Sequence, residues 1–321
     1  MEILDGAILV GVEHLDSEGT LTIESVATLK CARSLTSGPV FAVSVTSLPD
    51  VDALGECGVK QVFVPIQAAA WQNDSAFYAD FVRRVIDREP VCAVLLPASS
   101  LSTEVAARLG VKLGSSVVDG VTSFEIIDGG IVASKRVLGG EWEASTAVSS
   151  AIPVFTVLVK EDELEPVDAV VTSVQSLEVM ASAPGVQVIS AESQGNDGAL
   201  SSADVAVIGG RGVDGNFDLV RSLADALDGA VGATRVACDE GWADRSLQVG
   251  QTGISISPNV YVGLGVSGAI HHTCGIQGAG TIVAICDDPD APIFEIADFG
   301  VVGAVEDVVP QVIKHLSELR S

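Results

Sequence analysis

Gly263-Leu264-Gly265-Val266-Ser267-Gly268 is the stretch of this chain whose residue types best suit a diphosphate. Small residues let a backbone approach two phosphates closely, and the free N–H groups at a helix start supply donors. The G-x-G-x-x-G spacing also stands where it must, between an apolar run of strand type and a helical one. Asp287, at the end of the next strand-like run, falls where such folds hold a ribose hydroxyl. The pattern does not choose among dinucleotides. Gln248-Val249-Gly250-Gln251-Thr252-Gly253 is a polar, glycine-spaced loop in apolar surroundings. Its glycines permit close backbone approach, and Gln251 and Thr252 offer side-chain donors to the edge of a heteroaromatic ring; a plain hairpin loop has the same composition.

His271, His272 and Cys274 form a His-His-x-Cys string just after the glycine-rich turn. Neighbours on a helix point about 100° apart and share a metal ion poorly. A donor, or a positive charge beside a developing anion, is the better use of such a histidine. Arg211 and Arg235 both lie in tight turns, Gly209-Gly210-Arg211-Gly212 and Gly232-Ala233-Thr234-Arg235, in a chain with only 17 basic residues. A guanidinium suits phosphate or a ring face, although 43 acidic residues offer surface ion pairs as an ordinary alternative. Asp287-Asp288-Pro289-Asp290 lacks the glycine and distal glutamate of a calcium loop and reads as a turn.

The elements that carry these residues divide the chain into residues 1–189, an N-terminal α/β domain; 190–204, a linker; and 205–321, a second α/β domain. In the first, Ala7–Val12, Val40–Val45, Gln61–Pro65 and Val91–Pro97 read as parallel strands. Ile23–Leu35 and Ala69–Asp87 have helical spacing between them, and Ser102 to Glu104 are expected to cap a helix over Val105–Leu109 that stops at Gly110. Val117 to Val159 is strand-rich, with breaks at Asp128-Gly129-Gly130 and Gly139-Gly140, and is expected to extend the same sheet with antiparallel strands. Gly195-Asn196-Asp197-Gly198 lies in the polar linker. In the second domain Val205–Ile208, Val260–Val266 and Thr281–Cys286 read as strands, and Phe217–Leu227, a segment from Ser267 to Gly275, and Val305–Leu319 as helices. The expected fold is a mostly parallel α/β domain with added antiparallel strands, followed by a Rossmann-like domain.

A net charge of −26 opposes binding to a phosphate backbone, so nucleic acid is an unsuitable partner and a positively charged protein surface a suitable one. No apolar run is long enough to span a bilayer, and the start has neither a secretory nor an organellar leader pattern, so the expected location is the cytoplasm. Six cysteines without a C-x-x-C pair give no zinc, iron–sulfur or disulfide pattern.

Together the strings resemble the electron transfer flavoprotein alpha subunit family. They are Gly209 to Gly212, Val231 to Arg235, Gln248 to Gly253, Gly265 to His272, Asp288 to Phe294, Ala297-Asp298-Phe299-Gly300 and Val308-Val309-Pro310, in that order. The N-terminal half carries the likeness more loosely, through its α/β order and Ala106 to Gly110. The resemblance implies an FAD-carrying electron-transfer protein rather than an enzyme, paired with a beta subunit. Its electrons would arrive singly from flavin dehydrogenases of the acyl-CoA type, as in fatty acid β-oxidation, and leave to a quinone oxidoreductase. It implies that Ser267, Gly268, Ala269, Ile270 and His271 hold the FAD pyrophosphate with Arg211 and Thr234. Thr252 would face flavin N5, with Gln248, Val249, Gly250, Gln251 and Gly253 along the neighbouring edge. His272 would approach flavin O2 and Arg235 cover the ring, together raising the potential for the first electron. Cys286 and Ala304 would lie at the adenosine end. Thr234, His271, Cys286 and Ala304 stand where the family usually has Ser, Gln, Asn and Asp. Two other classes use the same glycine turn: a nicotinamide-dependent oxidoreductase and a nucleotide-binding module without redox chemistry. The first has too little chain after the motif for a substrate domain.

Overall fold

A computed structural model describes residues 2–15, 19–46, 48–66, 74–138, 142–159, 164–165, 167–179, 200 and 203–319. The chain forms two compact units, divided between Ala191 and Glu192. The Gly139-Gly140 break and Gly195 to Gly198 lie outside the described residues, as does most of the expected linker.

The first unit is built on a seven-stranded parallel sheet in the order β10-β3-β2-β1-β4-β9-β5. Its strands are β1 (Ala7–Val12), β2 (Val40–Ser44), β3 (Val59–Pro65), β4 (Val91–Pro97), β5 (Val117–Val121), β9 (Val154–Val157) and β10 (Ser173–Leu177). β1, β2 and β9 are buried along their whole length. Such strands read as continuous apolar runs because helices cover both faces of a parallel sheet. On β1, Ile8, Val10 and Val12 face one core with Leu29 and Leu54, whereas Ala7 and Leu9 face another with Phe81 and Leu109. Helices α1 (Ile23–Leu35) and α2 (Val51–Glu56) supply the first core, α3 (Ser75–Ile86) and α4 (Ser100–Leu113) the second.

Two expectations change here. The antiparallel strands β6 (Ser123–Ile127), β7 (Gly130–Val137) and β8 (Trp142–Ala147) form a three-stranded sheet of their own, while β5 and β9 join the large sheet in parallel. The Asp128-Gly129 turn does close a hairpin, with Ile127 opposite Gly130 and both turn residues at positive φ, the type I′ geometry that matches strand twist. Helix α4 is longer than expected. Ser99 caps it by accepting from the Ser102 N–H, and it runs through Gly110 to a left-handed Gly114. Gly110 is retained inside the helix because a Cβ there would meet the Val117 side chain at 2.5 Å.

The second unit is a five-stranded, all-parallel sheet in the order β12-β11-β13-β14-β15. Its strands are β11 (Val205–Gly209), β12 (Ala230–Ala233), β13 (Val260–Leu264), β14 (Thr281–Cys286) and β15 (Phe299–Val302). α5 (Phe217–Leu227) and α9 (Val305–Leu319) pack on one face through Phe217, Val220, Val305 and Val309. The other face is covered by Ile256, Ile276 and Ile293, from loops and the one-turn helix α8 (Ile293–Ile296). The order places β11, first in sequence, between β12 and β13. The direction of winding reverses at the β11/β13 boundary, where the carboxyl ends of two adjacent strands diverge and leave a crevice.

Candidate functional site

Four loops leave the carboxyl ends of this sheet. After β11 comes Gly210 and a 3-10 turn over Arg211–Val213; after β12, Thr234 and the short helix α6 (Arg235–Asp239). After β13 the chain runs from Gly265 to the single-turn helix α7 (Ile270–Thr273), and after β14 it forms the Asp287 to Asp290 turn. The segment Gln248 to Gly253 joins them through a bridge from Gln248 to Ala233 on β12. Together they enclose a cleft of about 430 Å³.

Backbone contacts set how closely these loops approach. The Gly212 N–H donates to the Gly265 carbonyl at 2.9 Å, and the Gly210 N–H to Leu264 at 2.8 Å. A Cβ at Gly210 would sit 2.3 Å from the Gly265 carbonyl oxygen, so the turns after β11 and β13 touch backbone to backbone only because glycine stands there. Gly268, at φ +81°, is held against Ile293 with 2.2 Å from its Cβ position to that backbone nitrogen. The glycine motif therefore works differently from the sequence expectation. Gly263 is inside β13, where it leaves room for the Tyr261 ring, and the turn proper begins at Gly265. The helix that follows is a single turn, so the donors on offer are individual N–H groups rather than a long helix's dipole.

Most of the residues singled out in the sequence meet in this cleft. Arg211, Thr234, Arg235, Gln248, Val249, Gly250, Thr252, Ser267, Gly268, Ala269, His271, His272 and Cys286 all line it. Gln251, Gly253, Ile270 and Ala304 do not. Gln251 turns to His271, donating its N–H to the His271 carbonyl at 2.7 Å and accepting from Nδ1 at 2.7 Å. Gly253 folds back on Gln248, Ile270 is exposed, and Ala304 begins α9, its carbonyl accepting from Val308. Gly210, Gly212, Val236, Gly265 and Ala291 also line the cleft. The signal for the three glycines was their place at strand ends. Asp287 lines it too, where a ribose ligand was expected.

Three polar side chains are buried here: Thr234, Gln248 and His272. Gln248 donates to the Thr252 hydroxyl at 2.9 Å and accepts from Arg245 at 3.2 Å. With its oxygen accepting from Gln248, the Thr252 hydroxyl has its own proton to donate. Thr234 stands at the start of α6 without capping it, leaving a buried hydroxyl beside the cleft. The Arg235 side chain is largely exposed, 3.8 Å from Asp239.

His272 departs from expectation. Its Nδ1 lies 3.0 Å from the Val249 carbonyl and its Nε2 2.8 Å from the Tyr261 hydroxyl. Burial pushes its pKa below the ordinary value, only partly opposed by the bond to Val249. Burial thus disfavours the charged imidazole, and the guanidinium charges lining the cleft are those of Arg211 and Arg235. No group of three or more His, Cys, Asp or Glu side chains among the described residues could hold a metal. His271 and His272 indeed point apart, one exposed and one buried.

The donor set fits a ligand with an anionic diphosphate and a hydrogen-bonding ring: two guanidinium groups, hydroxyls at Ser267, Thr234 and Thr252, and glycine turns at a topological switch point. Fold and cleft thus define a doubly wound protein of dinucleotide-binding type. Residues 199–277 match the family described as the electron transfer flavoprotein FAD-binding domain, and residues 10–183 match the electron transfer flavoprotein domain. The chain is 38% identical over 310 residues to the electron transfer flavoprotein subunit alpha of Mycobacterium leprae, covering 94% of this chain and 96% of that protein. It is 31% identical over 248 residues to the subunit of the same name from Bacillus subtilis, covering 75% and 76%. Over 121 residues, 37% of this chain and 33% of that protein, it is 48% identical to the mitochondrial alpha subunit of Arabidopsis thaliana. The chain belongs to the electron transfer flavoprotein alpha subunit family, and its cofactor is FAD. No helix among the described residues is long and apolar enough to cross a membrane.

Proposed function

We propose that this chain is the FAD-holding half of an alpha–beta electron carrier. In this reading it takes electrons singly from flavin dehydrogenases of the acyl-CoA type, passes them to a quinone oxidoreductase, and turns over no substrate of its own. The observation that carries the reading is the meeting of Arg235, Thr252 and Ser267 in one cleft at the switch point. FAD supplies the redox chemistry of its ring when bound. The residues of this chain do the rest. Backbone N–H groups from Val266 to Ala269, with Arg211 and the hydroxyls of Ser267 and Thr234, hold the diphosphate. Asp287 and Cys286 border the adenosine end. Thr252 offers its hydroxyl proton to the ring edge, oriented by the bond from Gln248. Arg235 provides positive charge where negative charge arrives, in a protein whose overall charge of −26 otherwise opposes it.

Two measurements test this. The complex purified with its beta subunit should be yellow, bleached by an acyl-CoA dehydrogenase with its substrate and unaffected by NADH; bleaching by NADH alone would favour a nicotinamide-linked oxidoreductase. Arg235→Ala should lower the midpoint potential of the first electron, a loss of about 1–2 kcal/mol for a largely exposed charge. An unchanged potential would remove Arg235 from the account.

A further inference from the structure

Tyr261 is fully buried on β13 and does not line the cleft. Its hydroxyl nonetheless meets the one histidine ring that is buried there, at 2.8 Å. The direction of the bonds follows from chemistry. A carbonyl oxygen only accepts, so the His272 nitrogen facing Val249 must carry a proton. In the neutral ring the other nitrogen is then bare, and Tyr261 must donate to it. Tyr261 O–H to His272 Nε2, and His272 Nδ1–H to the Val249 carbonyl, form one directed chain from the sheet to the loop.

Its far end is tightly constrained. The Val249 N–H donates to the Ala233 carbonyl at 2.9 Å, so both backbone polar groups of this residue are held, one by β12 and one through the histidine by β13. Gly250, next in sequence, is at φ +136° with its Cβ position 2.4 Å from the His271 carbonyl oxygen, so only glycine lets the loop lie this close to α7. Gly263 leaves the space the phenol occupies, a Cβ there lying 3.0 Å from the Tyr261 oxygen.

We propose that Tyr261 is a positioning residue for the flavin edge: by donating to the bare Nε2, its hydroxyl holds His272 in the Nδ1–H form that the Val249 carbonyl requires, and thereby steadies that carbonyl and the Gly250 to Thr252 segment. A phenylalanine in its place keeps the ring and removes the donor to the buried imidazole nitrogen, freeing the histidine to change tautomer or turn away from Val249. Burial raises the phenol's pKa and lowers that of the imidazole, so it favours the neutral form of each, in which the directed chain exists.

The effect on FAD rests on the reading that this cleft holds the flavin ring, whereas the tautomer does not. The test therefore has two arms on the full chain with FAD and its beta subunit. Nitrogen NMR of labelled histidine in the unaltered protein should show His272 protonated at Nδ1 and bare at Nε2; an Nε2–H or doubly protonated ring overturns the proposal without a variant being made. Tyr261→Phe should change that signature, with a several-fold shift in the one-electron equilibrium of the flavin. An unchanged histidine signature in the folded variant overturns the inference. A changed signature with an unchanged flavin equilibrium overturns Tyr261's role at the flavin and the placement of the ring against this loop, leaving the tautomer assignment standing.

Discussion

Both units are wound on the same plan and fill it differently. In the first, the winding reverses between β1 and β4, so the crevice that doubly wound sheets offer to ligands opens beyond Val12 and Pro97. Glu13 enters it. Its carboxylate accepts from the Ser102 hydroxyl at 2.6 Å and from the Ser99 hydroxyl, at the start of α4. His14 bonds Ser44 at the end of β2, at 2.8 Å. In the second unit the corresponding turn is Gly210-Arg211-Gly212, which brings no carboxylate and meets Gly265 through backbone alone. Topology thus offers a crevice twice, and the first residues after the leading strand decide its use. A glutamate occupies the first crevice and takes the two serine hydroxyls at the head of α4, whereas glycines and an arginine leave the second to a ligand.

The comparison can be broken most forcefully at Gly268. Valine there combines an unfavourable φ with backbone contact at 2.2 Å to Ile293, and FAD content per chain should fall at least about tenfold, a loss of roughly 1.4 kcal/mol or more in binding. Flavin absorbance against protein concentration measures it, with circular dichroism showing the sheets retained. The smaller effect is at the other crevice. Glu13→Ala leaves two hydroxyls at the head of α4 without their acceptor and should cost about 1–2 kcal/mol in denaturant unfolding. Its FAD content should be unaltered; lost FAD would mean that the first unit's crevice is not separate from cofactor binding.

The smallest and most graded effect concerns pH. His272 has its folded pKa depressed below the unfolded value of 6.5. Its contribution to stability is fully present above that pH and is lost as pH falls through the folded value, because the unfolded chain then takes up the proton more readily. Against His272→Gln, the stability difference should be flat above the unfolded value and shrink below it. A difference that grows on acidification would mean the ring is charged in the fold.

The parallel strands β1, β2 and β4 were legible because burial on both faces demands apolar residues, and β3 was legible from Gln61 on but not at Val59-Lys60, where an exposed lysine interrupts it. α1, α5 and α9 were legible from apolar residues at helical spacing, and α5 stops at a left-handed Asp228. What escaped was short or paired only in three dimensions. β12 is four residues with a glycine, β15 is four exposed residues at the sheet edge, and β10 joins β3 through a polar stretch no local pattern marks. At the site, residue types announced the glycine turn, the polar loop and the arginines. The two bonds of His272 were invisible because Val249 contributes only its backbone carbonyl and Tyr261 looks in sequence like any strand aromatic. Gln251 was read toward a ligand, and its bonds to His271 exist only once the two loops meet.

Hydrogen exchange on the full chain, with and without FAD, tests the central claim most directly. FAD should slow exchange at the turn after Gly210, across Gln248 to Thr252 and from Gly265 to His272, and leave the residues around Glu13 and Ser99 to Ser102 unchanged. Protection centred on the first unit's crevice, or none at the glycine turns of the second, would contradict the account.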